Sequence, residues 1–252
     1  MPYAKSLARK VFEKDVHEFS SNSRYVSVKK NKVDYNIQQV VYKATIFQSS
    51  AALEDYIKDS LTDWIYMLSS LGMTIRYVPN ELVCWSAVCA QKHIFNNFFS
   101  SGDESKVIKK YSSLCDLPAL FDEEHQVKKV KSFKGHIKDR KYPSVKNIER
   151  LFFRFGISDV FLEMSKKGRK DYRSLLTSFS DKRNEIAHTS RDLTYTWSEI
   201  KKVVQDLKDL VDKIDRVLFS HVCKVSGSDC WRTNVGNILN LDIHDPQNNP
   251  PP

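Results

Sequence analysis

Between Tyr35 and about Leu71, apolar residues recur at the spacing of one helix face: Val40, Val41, Ala44, Phe47, Leu53, Tyr56, Ile57, Leu61, Trp64, Ile65 and Leu68. A run of this length predicts one long helix, or two nearly collinear ones, stopped at Gly72. The chain carries only seven glycines and eight prolines, three of the prolines at the very end, too few breaks for the many short turns of an all-β fold. Pattern and composition together point to an all-α fold.

The remaining segments extend that reading. A second helix starts near Pro79, and "PNELVCWSAVCAQKHIFNNFF" is apolar on so much of its circumference that burial among neighbours is expected. A shorter helix after Asp103 carries Val107, Ile108, Tyr111 and Leu114. Ser144 or Asn147 can cap "VKNIERLFFRFG", which closes at Gly156, and a short apolar piece leads to the basic turn "KKGRK". From Asp171 the chain reads "DYRSLLTSFSDKRNEIAH"; the last long helix then opens with Thr196 and Glu199 spaced as a capping box. The expected architecture is a bundle of five to seven helices. Residues 1–225 form one domain with 1–35 as a helical N-terminal extension, and 226–252 form a flexible or loosely packed tail.

Forty Lys plus Arg against 31 Asp plus Glu give a formal charge of +9, which favours a polyanionic partner over an acidic protein substrate without establishing either. Nine basic residues fall between Gln126 and Arg150, against Asp139 and Glu149. The N-terminus lacks the apolar core of a signal peptide and no segment has the length of a membrane span, so a cytoplasmic protein without membrane contact is expected. Five cysteines with no CxxC pair suggest neither a disulfide framework nor a zinc site; Cys84 and Cys89, in "LVCWSAVCA", read as core thiols.

One residue breaks the pattern. With Leu175 set at zero and about 100° per residue, Phe179 falls near 40°, Ile186 near 20° and Leu176 near 100°. Arg183 falls near 80°, inside this apolar arc, while Asn184 and His188 stand near 180° and 220° as an i, i+4 pair. A guanidinium cannot shed its charge, so on that face it needs anionic or carbonyl partners. Either its head reaches a carboxylate or a helix C-terminus within the bundle, or the groove it lines belongs to a phosphate. His188 taken alone reads as a surface histidine near a helix end.

Taken together, "RNEIAH" resembles the signature of the HEPN superfamily: an arginine, four to six residues with a polar one directly after the arginine, then a histidine. The resemblance covers roughly residues 40 to 220, including "AALEDY", "SVKNIERLFFRFGI" and "LLTSFSDKRNEIAH", and is closest to bacterial HEPN groups of defence and toxin systems. It implies a homodimeric endoribonuclease that needs no metal or other cofactor, with two motifs facing each other across a cleft. An antitoxin or sensor protein is a further partner implied by that setting. Thr189 stands where many relatives carry glycine. Ser190 stands where some toxins carry a tyrosine that a partner adenylylates, so that form of silencing does not fit.

The chemistry follows from the residue types. An RNA 2'-hydroxyl attacking its own phosphodiester needs a base, an acid for the leaving 5'-oxygen, and a cation against the charge gathering on the phosphoryl oxygens. The imidazole of His188 is of the type that titrates near neutrality, Arg183 offers a permanent planar fork, and Asn184 can orient the imidazole or bond a phosphate oxygen. Candidate RNA-backbone contacts are Lys128, Lys129, Lys131, Lys134, Lys138, Arg140 and Lys141 in the basic loop, and Lys166, Lys167, Arg169 and Lys170 in the turn. Tyr142, Tyr172, Tyr195 and Trp197 are candidate base platforms or packing residues, and Phe152, Phe153 and Phe155 are core candidates. Glu185, Asp181 and Lys182 read as solvated. The alternative function is a catalytically silent HEPN module that binds RNA or a protein partner through its bundle, and a third is a purely structural interaction protein.

Overall fold

A computed structural model describes residues 2–112, 119–129, 133, 143–188 and 193–234. Within them are eight α-helices: α1 (Leu7–Ser27), α2 (Tyr35–Ser70), α3 (Asn80–Ser101), α4 (Glu104–Ser112), α5 (Val145–Arg154), α6 (Val160–Gly168), α7 (Tyr172–His188) and α8 (Trp197–Val225). The only β-type pairing among the described residues is an isolated bridge between Thr74 and Gln126. No described helix is long and apolar enough to cross a membrane.

The long apolar run forms one unbroken helix. α2 starts at Asp34, whose carboxylate accepts from the N–H groups of Asn36 and Ile37, and stops before Gly72, which takes φ of 65°. It buries Tyr42, Ile46, Leu53, Tyr56, Leu61, Trp64 and Leu68 against α1 and α8. α8 opens with the expected box: Thr196 Oγ1 accepts from the Glu199 N–H, and the Glu199 carboxylate accepts from the Thr196 N–H at 2.8 Å. Its face from Ile200 through Leu207, Leu210 and Ile214 to Val222 touches α1, α2, α6 and α7. α7 therefore lies on a frame made by α2 and α8.

Ser144, rather than Asn147, caps α5 by accepting from the Asn147 N–H at 3.3 Å. Gly156, with φ of 82°, ends that segment; a Cβ there would stand 3.1 Å from both the Glu81 carboxylate and His221 Nε2, so both conformation and space require glycine. The short apolar piece that follows is a helix of its own, α6, capped by Asp159, which accepts from the Leu162 N–H at 2.9 Å. This helix and α1 raise the count above the expected upper bound of seven. α3 is less buried than its composition suggests: Cys84 is exposed rather than a core thiol, and Phe99 is 81% exposed. Phe152 and Phe155 are core, but Phe153 points outward.

The N-terminal segment is tied down by one buried carboxylate. Asp215 of α8, fully buried, accepts from the Tyr3 hydroxyl at 2.6 Å, the Ser6 N–H at 3.2 Å, the Ser6 hydroxyl at 2.5 Å and the Tyr56 hydroxyl at 3.2 Å. Burial pushes this carboxyl up while the hydrogen bonds from Ser6 and Tyr3 oppose that rise. The packed chain also runs past Val225. Cys230 and Trp231 are buried, Trp231 Nε1 donates to the Ala4 carbonyl at 2.8 Å, and Arg232 pairs with Asp63. The expected start of a loose tail at 226 thus falls inside the packed structure, because an indole and a thiol there close the end of the α1, α2 and α8 layer.

Removing the Asp215 carboxylate leaves its four hydrogen bonds from three side chains and one backbone N–H without an acceptor. Asp215→Ala is expected to lower unfolding free energy by about 3 kcal/mol, measured by urea denaturation; a loss within error would contradict the anchoring role. At Asp212, burial favours the neutral form, but hydrogen bonds and charge from Lys213, Arg9 and Arg216 outweigh it and bring the pKa to about 2. A depressed carboxylate stabilises the fold above its unfolded value, so this contribution is lost as pH falls from about 4 toward 2. Asp212→Asn should flatten that acid limb in denaturation profiles.

Candidate active site

Phe179 and Leu176 bury the middle of α7, while Asp171 caps its start by accepting from the Ser174 N–H at 3.0 Å. The last two turns carry the motif. Arg183 is half-buried, on the side of α7 that meets α2. Its guanidinium carbon lies 5.3 Å from the ring centre of Phe47, and its Nη1 donates to the Asn184 side-chain carbonyl at 3.2 Å. The ring supplies a negative π-face for the cation and the amide supplies a neutral acceptor. Asn184 is half-buried and His188, one turn on, is exposed as the final residue of the helix. Around the helix the order is therefore Phe47, Arg183, Asn184, His188, with Asn184 linking the arginine on the α2 side to the face that carries the histidine.

The chain that returns from this end is pinned from α2. Gln39 accepts from the Tyr195 N–H at 2.7 Å and donates to the Tyr195 carbonyl at 3.0 Å. The Tyr195 hydroxyl is buried with no hydrogen-bond partner, and burial followed by the nearby carboxylates of Glu185 and Glu199 raises its pKa. Glu185 and Asp181 are exposed, while Lys182 lines a groove between α7 and α8 with Lys202, Glu199 and Asp206. Thr189 and Ser190 lie outside the described residues.

The RNA-contact candidates do not gather at this site. Lys166 pairs with Glu163 at 2.6 Å, Lys170 pairs with Asp209 at 2.7 Å, Lys167 donates to the Ser220 hydroxyl at 3.2 Å, and Arg169 is exposed in a left-handed turn with φ of 54°. They sit before the first residue of α7, and its 17 residues span about 24 Å to His188. Lys128 is exposed on a single 3-10 turn, Val127–Lys129. The side chain of Lys129, and Lys131, Lys134, Lys138, Arg140, Lys141 and Tyr142, lie outside the described residues. Tyr172 and Tyr195 are buried and act in packing rather than as base platforms. Trp197 is half-buried against the core. Phe47 and Gln39 were not singled out by sequence: on one helix they look like ordinary members of their faces, and only packing of α7 and residue 195 against α2 gives them partners.

Comparison with family models gives a match over residues 12–219 to RiboL-PSP-HEPN, and the chain belongs to this family. Comparison with curated proteins and with solved structures found no match.

Gln39→Ala should release the Tyr195 backbone. Hydrogen exchange at the Tyr195 amide is expected to speed up roughly tenfold or more, as the loss of about 1.4 kcal/mol implies, while exchange in α5 stays unchanged. Equal protection in the variant would show that Gln39 does not hold this segment.

Proposed function

We propose that the protein is an endoribonuclease that cleaves RNA by 2'-hydroxyl attack without requiring a metal, as the toxin or effector of a defence system. HEPN domains serve as nucleases or RNA-binding modules, and family membership supports that broader class. The observation that carries the finer reading is the arrangement of Arg183: its guanidinium lies over the Phe47 ring and its Nη1 donates to Asn184, on the same helix end as the exposed imidazole of His188. In this reading Arg183 meets the phosphoryl oxygens, His188 moves protons, and Asn184 keeps the arginine and the substrate phosphate in register. The products are a 2',3'-cyclic phosphate and a 5'-hydroxyl.

One chain brings one motif histidine, so acid and base in a single step call for a second subunit. The outer face of α2 supports that pairing. Ile37 and Val40 are 56% and 64% exposed, and Ala44, Phe47 and Ala51 follow them along the same stripe. A second copy covering this stripe would stand beside both motifs. An antitoxin or sensor protein that keeps the site inactive belongs to the same proposal. The second reading, a silent RNA-binding module, is favoured by the position of the basic turn at the far end of α7, where it serves binding alone.

Cleavage of total RNA in EDTA separates these readings. The wild type is expected to cut, and His188→Ala and Arg183→Ala to lose about a hundredfold or more in rate with unchanged melting temperature. Phe47→Leu should reduce kcat roughly tenfold through loss of the ring beneath the guanidinium, whereas Phe47→Tyr should keep it. RNA binding without cleavage would select the silent module, and cleavage that survives His188→Ala would overturn the proposal.

A further inference from the structure

A second polar cavity, of about 330 Å³, lies between α6, α8 and the turn after Gly156. Ser158 on the turn, Glu163 and Lys167 on α6, and Ser220, His221 and Lys224 on α8 line it. Residues 217, 220, 221 and 224 follow helical spacing, so one face of α8, polar at Ser220, His221 and Lys224 and apolar at Val217, lines it. His221 is fixed: a carbonyl can only accept, so Nε2–H donates to the Phe155 carbonyl at 2.8 Å, and the ring packs edge-on to Trp64.

The charges around this cavity are unequally compensated. Glu163, the one carboxylate in its lining, is engaged by Lys166 at 2.6 Å. Lys170 is likewise engaged by Asp209. Lys167 instead rests on the neutral hydroxyl of Ser220, which passes its own proton to the Arg216 carbonyl at 2.8 Å. Lys224 is exposed on the opposite wall. Two ammonium groups and the Ser158 hydroxyl thus offer donors around a space larger than a phosphate group, while Ser220 and His221, whose protons go to the Arg216 and Phe155 carbonyls, form its wall; two cations and a hydroxyl suit a tetrahedral oxyanion.

We infer that this cavity is a phosphate-binding site, held by Lys167 and Lys224 with the Ser158 hydroxyl against a wall that includes Ser220 and His221, separate from the Arg183 and His188 motif. The separation is large: His221 lies 24 positions along α8 from Trp197, near the motif end, about 36 Å along the axis. The phosphate comes either from a distant part of an RNA strand whose scissile bond lies at His188 or from a free nucleotide. The RNA source rests on the ribonuclease reading; the site itself does not. It divides the basic turn into two neutralised lysines, Lys166 and Lys170, and two positions with outward charge, Lys167 and Arg169.

The test uses the full chain, wild type and Lys167→Ala/Lys224→Ala, with inorganic phosphate, adenosine monophosphate, and 2'-O-methyl RNA of four and of twenty nucleotides as probes. These RNAs cannot be cut, so binding is measured independently of cleavage. Both lysines are exposed, so the melting temperature should not change. In the wild type, phosphate should shift the His221 ring resonances, and in the double variant it should no longer do so. An RNA source predicts that the double variant loses about tenfold in affinity for the long strand and none for the short one, with the slope of log affinity against log salt falling by about 1.4. A nucleotide source predicts loss of adenosine monophosphate binding with RNA affinity unchanged. Unchanged binding of all four probes in the variant, or phosphate shifting His188 but not His221, overturns the site. Absence of cleavage by the wild type would sink the ribonuclease reading and leave the phosphate result standing.

Discussion

A guanidinium on the core-facing side of a helix must be met by something, and the way Arg183 is met decides what the end of α7 can do. Phe47 provides a ring face and Asn184 a carbonyl oxygen. Neither carries a net negative charge, so neither neutralises the cation as a carboxylate would. The ring and the amide orient the fork at the motif end of α7. It depends on two long helices: α2 supplies Phe47, and α8, locked at its start by the Thr196 and Glu199 box, holds α7 against α2.

The frame was largely legible in the sequence where local rules suffice. The unbroken α2, its stop at Gly72, the Ser144 cap and the start of α8 all follow from spacing and end signals within a few residues of each other. Asn184 and His188 could be placed together by counting turns. What failed to show was long-range: Phe47 is 136 positions from Arg183, and the Asp215 knot joins Tyr3, Ser6 and Tyr56 to α8. α6 was hidden because nine residues give too short a periodicity, and its Asp159 cap has no apolar run behind it long enough to mark it. The burial of Trp231 could not be read from a segment otherwise rich in Gly, Ser and Asn.

Charge counts were the least informative part of the sequence. A formal excess of nine positive charges says nothing of which lysines are already engaged. In the turn before α7, ion pairs with Glu163 and Asp209 occupy Lys166 and Lys170, and a serine hydroxyl holds Lys167. Exposed pairs of this kind contribute little to stability, but they redistribute where an anion finds unmatched charge. The basic turn and the motif occupy opposite ends of one helix, so in the proposed reading backbone grip and bond cleavage are separate tasks.

The central claim is that the ribose hydroxyl next to the scissile phosphate is the nucleophile, with protein groups alone moving the protons. Its most direct measurement is the end-group chemistry of RNA cut in EDTA, alongside a substrate carrying 2'-deoxyribose at the cleavage position. The account predicts 2',3'-cyclic phosphate and 5'-hydroxyl ends and no cleavage at the deoxy position. Ends bearing 5'-phosphate and 3'-hydroxyl, or cutting at the deoxy position, would contradict it.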